Sequence, residues 1–242
     1  MCYLDEHKLI SVSQHGFLSK HSTCTNLLEA LCDWSDNLDS RADTLVAYID
    51  FAKAFDSMSI PKLLHKLAHI GLTGCLLSCI ASFLSQRSQR VGTAMSDLKP
   101  LISGVPQGSV LGPVLFIIFI NNICNAVNGN VCNKLYADDL KSYVKLDDAT
   151  TGLQTFKDAL LSINDWSAEW EFPVSYSKCS YMLISNSNNF QPGPISFGLH
   201  NLEQVSTIKN LGVLFNSQFN FSERITSIIV KAKQRLFLLC KC

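Results

Sequence analysis

Residues 133–144, NKLYADDLKSYV, place two adjacent acids between two runs of apolar and aromatic residues. These runs predict two short strands, with Asp138 and Asp139 at the turn that joins them. Aspartate is a poor strand residue, so the pair needs a local reason. One reason is turn chemistry, because an Asp side chain can bond its own backbone. The other is a divalent cation held at the strand tip by oxygen ligands.

The composition is that of a folded chain with a large core. Of 242 residues, 47% are hydrophobic and 17% are charged, which allows one sizeable domain or two small ones and excludes a disordered tail. Lys and Arg together number 20, as do Asp and Glu, so a nucleic-acid partner would need local basic grooves. The longest apolar run, 110–120, is too short for a membrane span of roughly 20 residues.

The cysteines predict a reducing environment. There are 10 of them, scattered without C-x-x-C spacing, which disfavours zinc ligation. Cys75 and Cys79 share a predicted helix face and are expected to be buried thiols. The first residues lack the basic start and apolar core of a signal peptide. We therefore expect reduced thiols and an intracellular protein without a membrane partner. Both chain ends look like cuts within a longer polypeptide.

Periodicity divides the chain into helices and strands. Predicted helices cover about 23–38, the segment between Ser59 and Gly71, 73–84, 109–126, the segment from Leu153 to Trp166, and the C-terminal stretch. Predicted strands cover 44–50, 89–94, 98–102, the hairpin 131–146, 181–184, and stretches near 195–205 and 207–215. This mixture predicts an α+β or α/β fold with helices against one face of a sheet. The inward face of the last helix is expected to hold Ile225, Ile228, Ile229, Ala232, Leu236 and Leu239.

A third acid, Asp50, ends the continuous apolar run 44–49, which is the pattern of a buried strand. Alone, a strand-end Asp is also explained as a helix or turn cap. Bringing Asp50 close to Asp138 would be costly, because neighbouring like charges keep one acid protonated. Two Mg²⁺ ions about 3.5–4 Å apart would remove that conflict and supply what phosphoryl transfer needs. The two acids therefore predict a paired metal site if their strands are neighbours.

The loop 103–109, SGVPQGS, precedes a strongly apolar predicted helix. Its glycines allow backbone to approach a ligand closely, and amides at a helix N-terminus favour phosphate. Gln107 adds a neutral donor and acceptor suited to a sugar or a base edge. Considered alone, the loop is equally explained as a Gly/Pro turn. Its place between the two acidic segments gives it a functional interpretation.

These three segments, in this order, resemble a known family. Residues 50–56 (DFAKAFD), 103–113 (SGVPQGSVLGP) and 136–139 (YADD) look like successive palm motifs of reverse transcriptases, most closely those of non-LTR (LINE-type) retrotransposons. Residues 14–17 (QHGF) resemble the fingers motif of the same group, and 211–213 (LGV) resemble its primer-grip region. The resemblance covers nearly the whole chain.

The resemblance implies a right-hand polymerase palm with partial fingers and a partial thumb or connection. Residues 1–43 would be partial fingers, and 44–185 the palm, with inserted fingers elements at about 73–102. Residues 186–242 would hold primer-grip-like strands and the start of a thumb helix. The implied activity is RNA-directed DNA polymerisation. It would use two bound Mg²⁺ ions, or Mn²⁺ in their place. The implied partners are an RNA template, a DNA primer and dNTPs.

By the same resemblance, Asp50 and Asp138 would bind the metals. Asp139 would be a weaker ligand or a support beside them, and the backbone carbonyl of Phe51 could complete one coordination shell. Lys178 matches a lysine that protonates the leaving pyrophosphate; an ordinary surface lysine explains it equally well. Together these residues form the expected catalytic and metal site.

The expected dNTP site includes Phe55 in the place of a steric gate, where an aromatic ring excludes a ribose 2′-OH. Plain core packing is its alternative explanation. Gln107 and Gly108 would contact the nucleotide, as would Lys53. Related sequences place a basic run after Gly-Phe, whereas residues 18–21 read LSKH, so Lys20 and at most His21 can grip the triphosphate.

Basic residues are expected to follow the template–primer backbone. The candidates are Arg87, Arg90 and Lys99 near the predicted hairpin, and Lys231, Lys233 and Arg235 on the last helix. A solvated helix face explains the second group equally well. Two rival functions stay open: a decayed, non-catalytic remnant with weak nucleic-acid binding, favoured by the missing basic run, and an RNA-templated RNA polymerase or a cyclase on a similar palm, which Phe55 disfavours.

Overall fold

The computed structural model describes residues 2–90, 96–127, 129–186 and 190–239. Its helices are α1 Cys2–Glu6, α2 Thr23–Asp39, α3 Ala54–Ser57, α4 Ile60–His69, α5 Gly74–Leu84, α6 Leu111–Ile120, α7 Ile123–Ala126, α8 Ala149–Glu169 and α9 Ser222–Leu239. Its strands are β1 Asp43–Ile49, β2 Arg87–Gln89, β3 Lys99–Leu101, β4 Val131–Tyr136, β5 Asp139–Leu146, β6 Ser180–Ile184, β7 Ser196–Phe197, β8 His200–Asn201, β9 Glu203–Gln204, β10 Thr207–Asn210 and β11 Val213–Asn216. The α+β fold and the acid-bearing hairpin are confirmed.

The central sheet has five strands in the order β4-β5-β1-β6-β9. β1 lies in the middle and pairs antiparallel with both β5 and β6. β4 and β5 form the predicted hairpin, while β9 joins β6 in the parallel sense. Two-stranded ribbons, β2–β3, β7–β8 and β10–β11, surround this sheet. The strand that carries Asp50 is therefore next to the hairpin that carries the acid pair.

Helices cover both faces of the sheet, so the prediction of helices on one face is wrong. Leu45 and Ala47 of β1 pack into the core that includes α6 and α8. Val46 and Tyr48 pack into a second cluster with α2 and with Phe215 of β11. A strand buried on both sides is apolar at every position, which is the pattern of residues 44–49. The sequence therefore contained the signal for two covered faces.

The apolar segment predicted as one helix at 109–126 is divided into α6 and α7, because two asparagines between them bind other segments. Asn121 donates from Nδ2 to the Leu9 carbonyl at 2.8 Å, and its Oδ1 accepts from the Ser11 amide at 2.7 Å. Asn122 accepts at Oδ1 from Trp166 Nε1 at 3.2 Å. These long-range bonds compete with helix continuation at the two positions.

The predicted strands around residues 89–102 agree only in part with the structure. β2 begins at Arg87, two residues before the predicted start at 89, and residues 91–94 of that predicted strand lie outside the described residues. β3 agrees with the strand predicted at 98–102. The stretch near 195–205 contains the short strands β7, β8 and β9. Strands of two residues joined by tight turns are too short to show the alternation of apolar and polar residues that identifies a strand in a sequence.

The inward face predicted for the last helix is wrong in the described part of the chain. Ile225, Ile228, Ile229 and Leu236 are exposed by 46–61%, and Ala232 is exposed as well. The side chain of Leu239 lies outside the described part of the structure. An amphipathic pattern specifies a face suited to burial but does not supply the surface that covers it. Cys75 and Cys79, expected to be buried, are also exposed.

Of the helices in the described ranges, none combines the length and the apolar character needed to cross a membrane.

Two adjacent leucines of α8 test the packing of the main core. Leu160 is 1% exposed and Leu161 is 57% exposed. We expect Leu160→Ala to lower the free energy of unfolding by about 2–5 kcal/mol, because it removes buried methyl groups and leaves a cavity. Leu161→Ala should change it by no more than about 0.5 kcal/mol. Urea denaturation followed by circular dichroism measures both, and equal losses would contradict this packing.

Candidate active site

The strand register brings the three acids to one edge of the sheet. Ile49, the last residue of β1, pairs with Leu140 of β5. Asp50 therefore follows β1 at the level where Asp139 begins β5, beside the turn that contains Asp138. Residues separated by almost ninety positions in the chain meet here because antiparallel neighbours end at the same edge. This is the meeting of strand ends that the sequence predicts.

Burial and the neighbouring carboxylates both raise the pKa values of Asp138 and Asp139. Burial raises the pKa of Asp138, and the nearby Asp50 carboxylate raises it further, whereas Lys178 opposes the shift. Burial also raises the pKa of Asp139, with added repulsion from Asp138 and then Asp50. A raised carboxyl pKa means that the ionised form is disfavoured in this environment. A bound cation would reverse that preference.

Asp50 is held by its backbone, while one of its carboxylate oxygens accepts no hydrogen bond. Its carbonyl accepts from the Ser175 amide at 2.8 Å, and its own amide donates to Cys179 Sγ at 3.4 Å. The Oδ1 atom is buried and accepts no hydrogen bond, although the Lys178 ammonium lies 3.5 Å away. Burial raises the pKa of Cys179 to about 11, so this thiol is a neutral support. The Oδ1 atom therefore faces a cation, the Lys178 ammonium, in place of a hydrogen-bond donor.

The donor set fits a hard cation. Among the described residues, no group of three His, Cys, Asp or Glu side chains is close enough to form a metal site from protein ligands alone. Mg²⁺ is commonly held by one or two carboxylates, with waters and substrate phosphates completing its octahedron. Asp50 and Asp138 supply such carboxylates, and the carbonyl of Phe51 lies at the same strand end. The residues therefore suit a metal that binds together with a phosphate-bearing substrate.

The ring of Phe55 packs against two other aromatic rings. Its ring stacks on Phe116 of α6 with centroids 4.1 Å apart and an interplanar angle of 19°. Phe17 meets it edge-on at 6.0 Å. The ring is partly exposed, so packing explains its support without using its whole surface. The sequence analysis missed Phe116, and it placed Phe17 in the fingers-like segment without predicting its contact with Phe55, because neither an apolar helix nor a motif phenylalanine carries a sign of this contact.

The loop 103–109 is bonded to the segment that carries Phe55. The Val105 amide donates to the Phe55 carbonyl at 2.9 Å, and Ser103 Oγ donates to the Asp56 carbonyl at 2.7 Å. Gly104 has φ +75°, and a Cβ there would lie 2.6 Å from the Asp56 Cα, so only glycine fits. The two predicted motifs thus form one unit.

The remaining predicted nucleotide contacts are exposed at this unit or near it. Gln107 donates from Nε2 to Asp56 Oδ1 at 2.8 Å, and Gly108 faces open space with φ +80°. Lys53 is exposed with φ 50° and lies just before α3, a few residues after the end of β1. Lys20 is exposed with φ 64°, three residues beyond Phe17. Their contacts with a nucleotide stay predictions.

The predicted nucleic-acid contacts differ in their surroundings. Arg87 donates to three carbonyls, those of Leu84 at 2.9 Å, Ser103 at 3.1 Å and Gly104 at 2.5 Å, so it fastens the loop 103–109. Exposed cations lie elsewhere on the β2–β3 ribbon and on α9: Arg90, Lys99, Lys231, Lys233 and Arg235. Contact of any of these residues with a nucleic acid stays a prediction.

A cavity of about 730 Å³ lies between α4 and the end of α8, and its lining includes none of the three aspartates Asp50, Asp138 and Asp139. Lys66 lies in its wall, but its ammonium donates to the Phe119 carbonyl and to Asn122 Oδ1 and stands 3.8 Å from the centre of the Trp170 ring. The lysine is therefore used in joining helices. This cavity is therefore separate from the acids at the strand ends.

Paired acids on adjacent antiparallel strand ends, with a supported aromatic ring and a glycine loop beside them, are the arrangement of a right-hand polymerase palm. The chain belongs to the reverse transcriptase family: the family described as "Reverse transcriptase (RNA-dependent DNA polymerase)" matches residues 1–215. The predicted resemblance to non-LTR retrotransposon enzymes is confirmed by its relatives.

Relatives from transposable elements match most of the chain. The "RNA-directed DNA polymerase from mobile element jockey" of Drosophila melanogaster is 29% identical over 235 residues, covering 93% of this chain. Its Drosophila funebris counterpart is 30% identical over 226 residues, or 89% of the chain. The "Probable RNA-directed DNA polymerase from transposon X-element" of D. melanogaster is 25% identical over 239 residues. The chain spans about a quarter of the length of these relatives.

Solved telomerase structures share the fold. A telomerase of Candida tropicalis, in complex with a TWJ fragment of telomeric RNA, matches with a TM-score of 0.59 and 12% identity over 87% of this chain and 34% of its own. A Candida albicans telomerase in a corresponding complex matches with a TM-score of 0.55 and 14% identity over 90% of this chain and 36% of its own. At such identities the match supports the right-hand polymerase fold.

Lys141 provides a pH test of the interior beside the acids. It is 1% exposed and its Nζ has no hydrogen-bond partner, and burial lowers its pKa to about 7 from 10.5. The folded state therefore binds fewer protons than the unfolded state between those values, and stability due to this group rises with pH. We expect the stability of the wild type, measured against Lys141→Met in metal-free buffer, to improve by about 2–4 kcal/mol between pH 7 and pH 10. A pH-independent difference would contradict a buried, unpaired Lys141.

Proposed function

We propose that this domain catalyses RNA-templated addition of deoxynucleotides to a primer 3′-OH, with release of pyrophosphate. The observation that carries the proposal is the register that sets Asp50, whose Oδ1 accepts no hydrogen bond, beside the turn of Asp138. Divalent cations, when bound, lower the pKa of the attacking hydroxyl and neutralise charge on the leaving pyrophosphate. Asp50 and Asp138 hold Mg²⁺, or Mn²⁺ in its place. Asp139 supports them, as does the carbonyl of Phe51.

The chain's own residues position the substrate. Phe55, fixed by Phe116 and Phe17, blocks the space that a ribose 2′-OH would need. Gln107 and Gly108 contact the sugar and phosphates from the loop 103–109, and Lys20 and Lys53 contact the triphosphate. This assignment joins the gate and the loop into one nucleotide site, consistent with the bonds between them.

Lys178 exchanges partners during the reaction. In the free protein its ammonium lies 3.5 Å from Asp50 Oδ1, where a cation neutralises the carboxylate. The ammonium is largely exposed, and with a cation held by Asp50 it would be free to approach the leaving pyrophosphate and donate a proton to it. Without a metal, this ion pair would offset one of the negative charges at the site.

The partners follow from the chemistry. The RNA template and the DNA primer contact the exposed cations of the β2–β3 ribbon and of α9, which are Arg90, Lys99, Lys231, Lys233 and Arg235, and Arg87 supports the nearby loop. Residues 44–185 form the palm, with fingers elements at 1–43 and about 73–102. Residues 186–242 hold the primer-grip strands and the start of a thumb helix. The protein works inside the cell.

Loss of one acid tests catalysis. We expect Asp138→Asn to lower primer extension on an RNA template in Mg²⁺ by at least about 100-fold, because one metal ligand loses its charge. The matched control is Asp147→Asn, which removes an exposed acid just beyond the other end of β5. Incorporation that survives Asp138→Asn would refute the assignment of the metal site. No incorporation from either the wild type or the variants would favour the rival function, a remnant that retains the fold.

Replacing the gate tests sugar selection. We expect Phe55→Val to lower the preference for dNTP over the matching NTP, as a ratio of kcat/KM values, by at least about tenfold, because the smaller side chain admits the 2′-OH. Phe83→Val, at an exposed ring of α5, is the control. An unchanged ratio would assign Phe55 to packing alone. A wild type that already prefers NTP would instead favour an RNA polymerase or a cyclase.

A further inference from the structure

Ala137, between Tyr136 and Asp138, has a left-handed backbone with φ 56°. Residues other than glycine seldom adopt this conformation, and a two-residue hairpin turn with positive φ at its first position favours glycine. The alanine therefore needs outside support to keep the turn in this shape. Because Asp138 is the next residue, the turn conformation decides where its carboxylate points.

That support comes from Gln14, whose side chain is fully buried. Its Oε1 accepts from the Ala137 amide at 3.0 Å, and its Nε2 donates to the Ala137 carbonyl at 3.3 Å. The same Oε1 accepts from the Gly16 amide at 2.7 Å, which orients the side-chain amide. One glutamine thus holds both backbone groups of the residue before Asp138.

The segment around Gln14 is fixed to the sheet. The His15 amide donates to the Leu135 carbonyl at 2.8 Å, and the Leu135 amide donates to the Ser13 carbonyl at 2.8 Å. A Cβ on Gly16 would lie 2.3 Å from the Ala137 nitrogen, so the close approach requires glycine. The side chain that holds the turn is therefore itself held from two sides.

We infer that Gln14 is a positioning residue, which fixes the turn of Ala137 and so sets the metal affinity of the Asp138 carboxylate. This inference rests on the proposed function, since it concerns the same metal site. Without the glutamine, the amide and carbonyl of Ala137 lose their buried partner and the turn is free to leave the left-handed conformation. Groups that orient metal ligands typically change metal affinity by about 10–100-fold when removed.

A purely structural role would give a different result, and Asn26 provides the comparison. It is also fully buried, and its Nδ2 donates to the Leu135 carbonyl at 3.0 Å, on the same strand but two residues before Ala137. Losing that bond should loosen the strand without releasing the turn. Gln14→Met and Asn26→Leu are therefore matched variants that differ in whether they hold the residue next to Asp138.

The experiment measures metal binding directly on the full chain. Tb³⁺, a hard cation whose luminescence a nearby tyrosine sensitises, can report the site through Tyr136. We expect Gln14→Met to weaken Tb³⁺ binding by about tenfold or more and to raise the half-saturating Mg²⁺ concentration for primer extension by a similar factor. Asn26→Leu should change both by less than about twofold while lowering the Tm comparably. The KM for dNTP should change less than the Mg²⁺ requirement.

Gln14→Glu supplies a second variant of nearly identical shape. It keeps the acceptor but sets a carboxylate oxygen against the Ala137 carbonyl, so it should also weaken Tb³⁺ binding. A buried carboxyl has a raised pKa, and its protonated form can donate where Nε2 did. The ratio of the Tb³⁺ affinity of the Gln14→Glu variant to that of the wild type should therefore approach one as the pH falls from about 8 to about 6.

The outcomes separate the inference from the function on which it rests. Tb³⁺ bound by the wild type and lost in Asp138→Asn, but unchanged in Gln14→Met, overturns the role of Gln14 alone. Equal weakening in Gln14→Met and Asn26→Leu does the same, since it reduces the effect to general loosening. Tb³⁺ binding that is indifferent to Asp138→Asn overturns both the metal site and the inference. A large effect confined to the Gln14 variants supports the inference.

Discussion

Repulsion between carboxylates held at one sheet edge is the constraint around which this molecule is arranged. Burial raises the pKa of Asp138 and of Asp139, and the neighbouring acids raise them further. A free chain would separate such charges. Pairing of β1 with β5 prevents the separation, and bonds from Ser175 and Cys179 hold the backbone of Asp50. The apolar core on both faces of the sheet offsets the loss of stability caused by this repulsion.

The sequence predicted the parts of the fold whose signal is local. Three local patterns each specify an element within a few residues: the apolar run before Asp50, the alternation of apolar and polar residues around Asp138 and Asp139, and the apolar face of α8. The second covered face was missed although residues 44–49 are apolar at every position, because that pattern shows burial on both sides but not which helices provide it. The division of α6 from α7 was missed because Asn121 and Asn122 bind Leu9, Ser11 and Trp166, and nothing local announces those partners.

The candidate site divides in the same way. The acids could be predicted to meet because strand ends and their order are visible in the chain. The contacts of long polar side chains could not, since several partners lie within reach of each. Arg87 fastens a loop through three carbonyls, and Gln107 bonds Asp56. For α9 the pattern of a buried face was present, but the described residues include no surface that covers it.

One short segment supports both halves of the site. Gln14 bonds the turn beside Asp138, and Phe17, three residues later, meets the ring of Phe55. Gly16 lies between them against Ala137, where a side chain would not fit. A shift of this segment would therefore move the turn of Asp138 and the ring of Phe55 together. The two parts of the candidate site, although they are built from different side chains, are in this way coupled through the backbone of four residues.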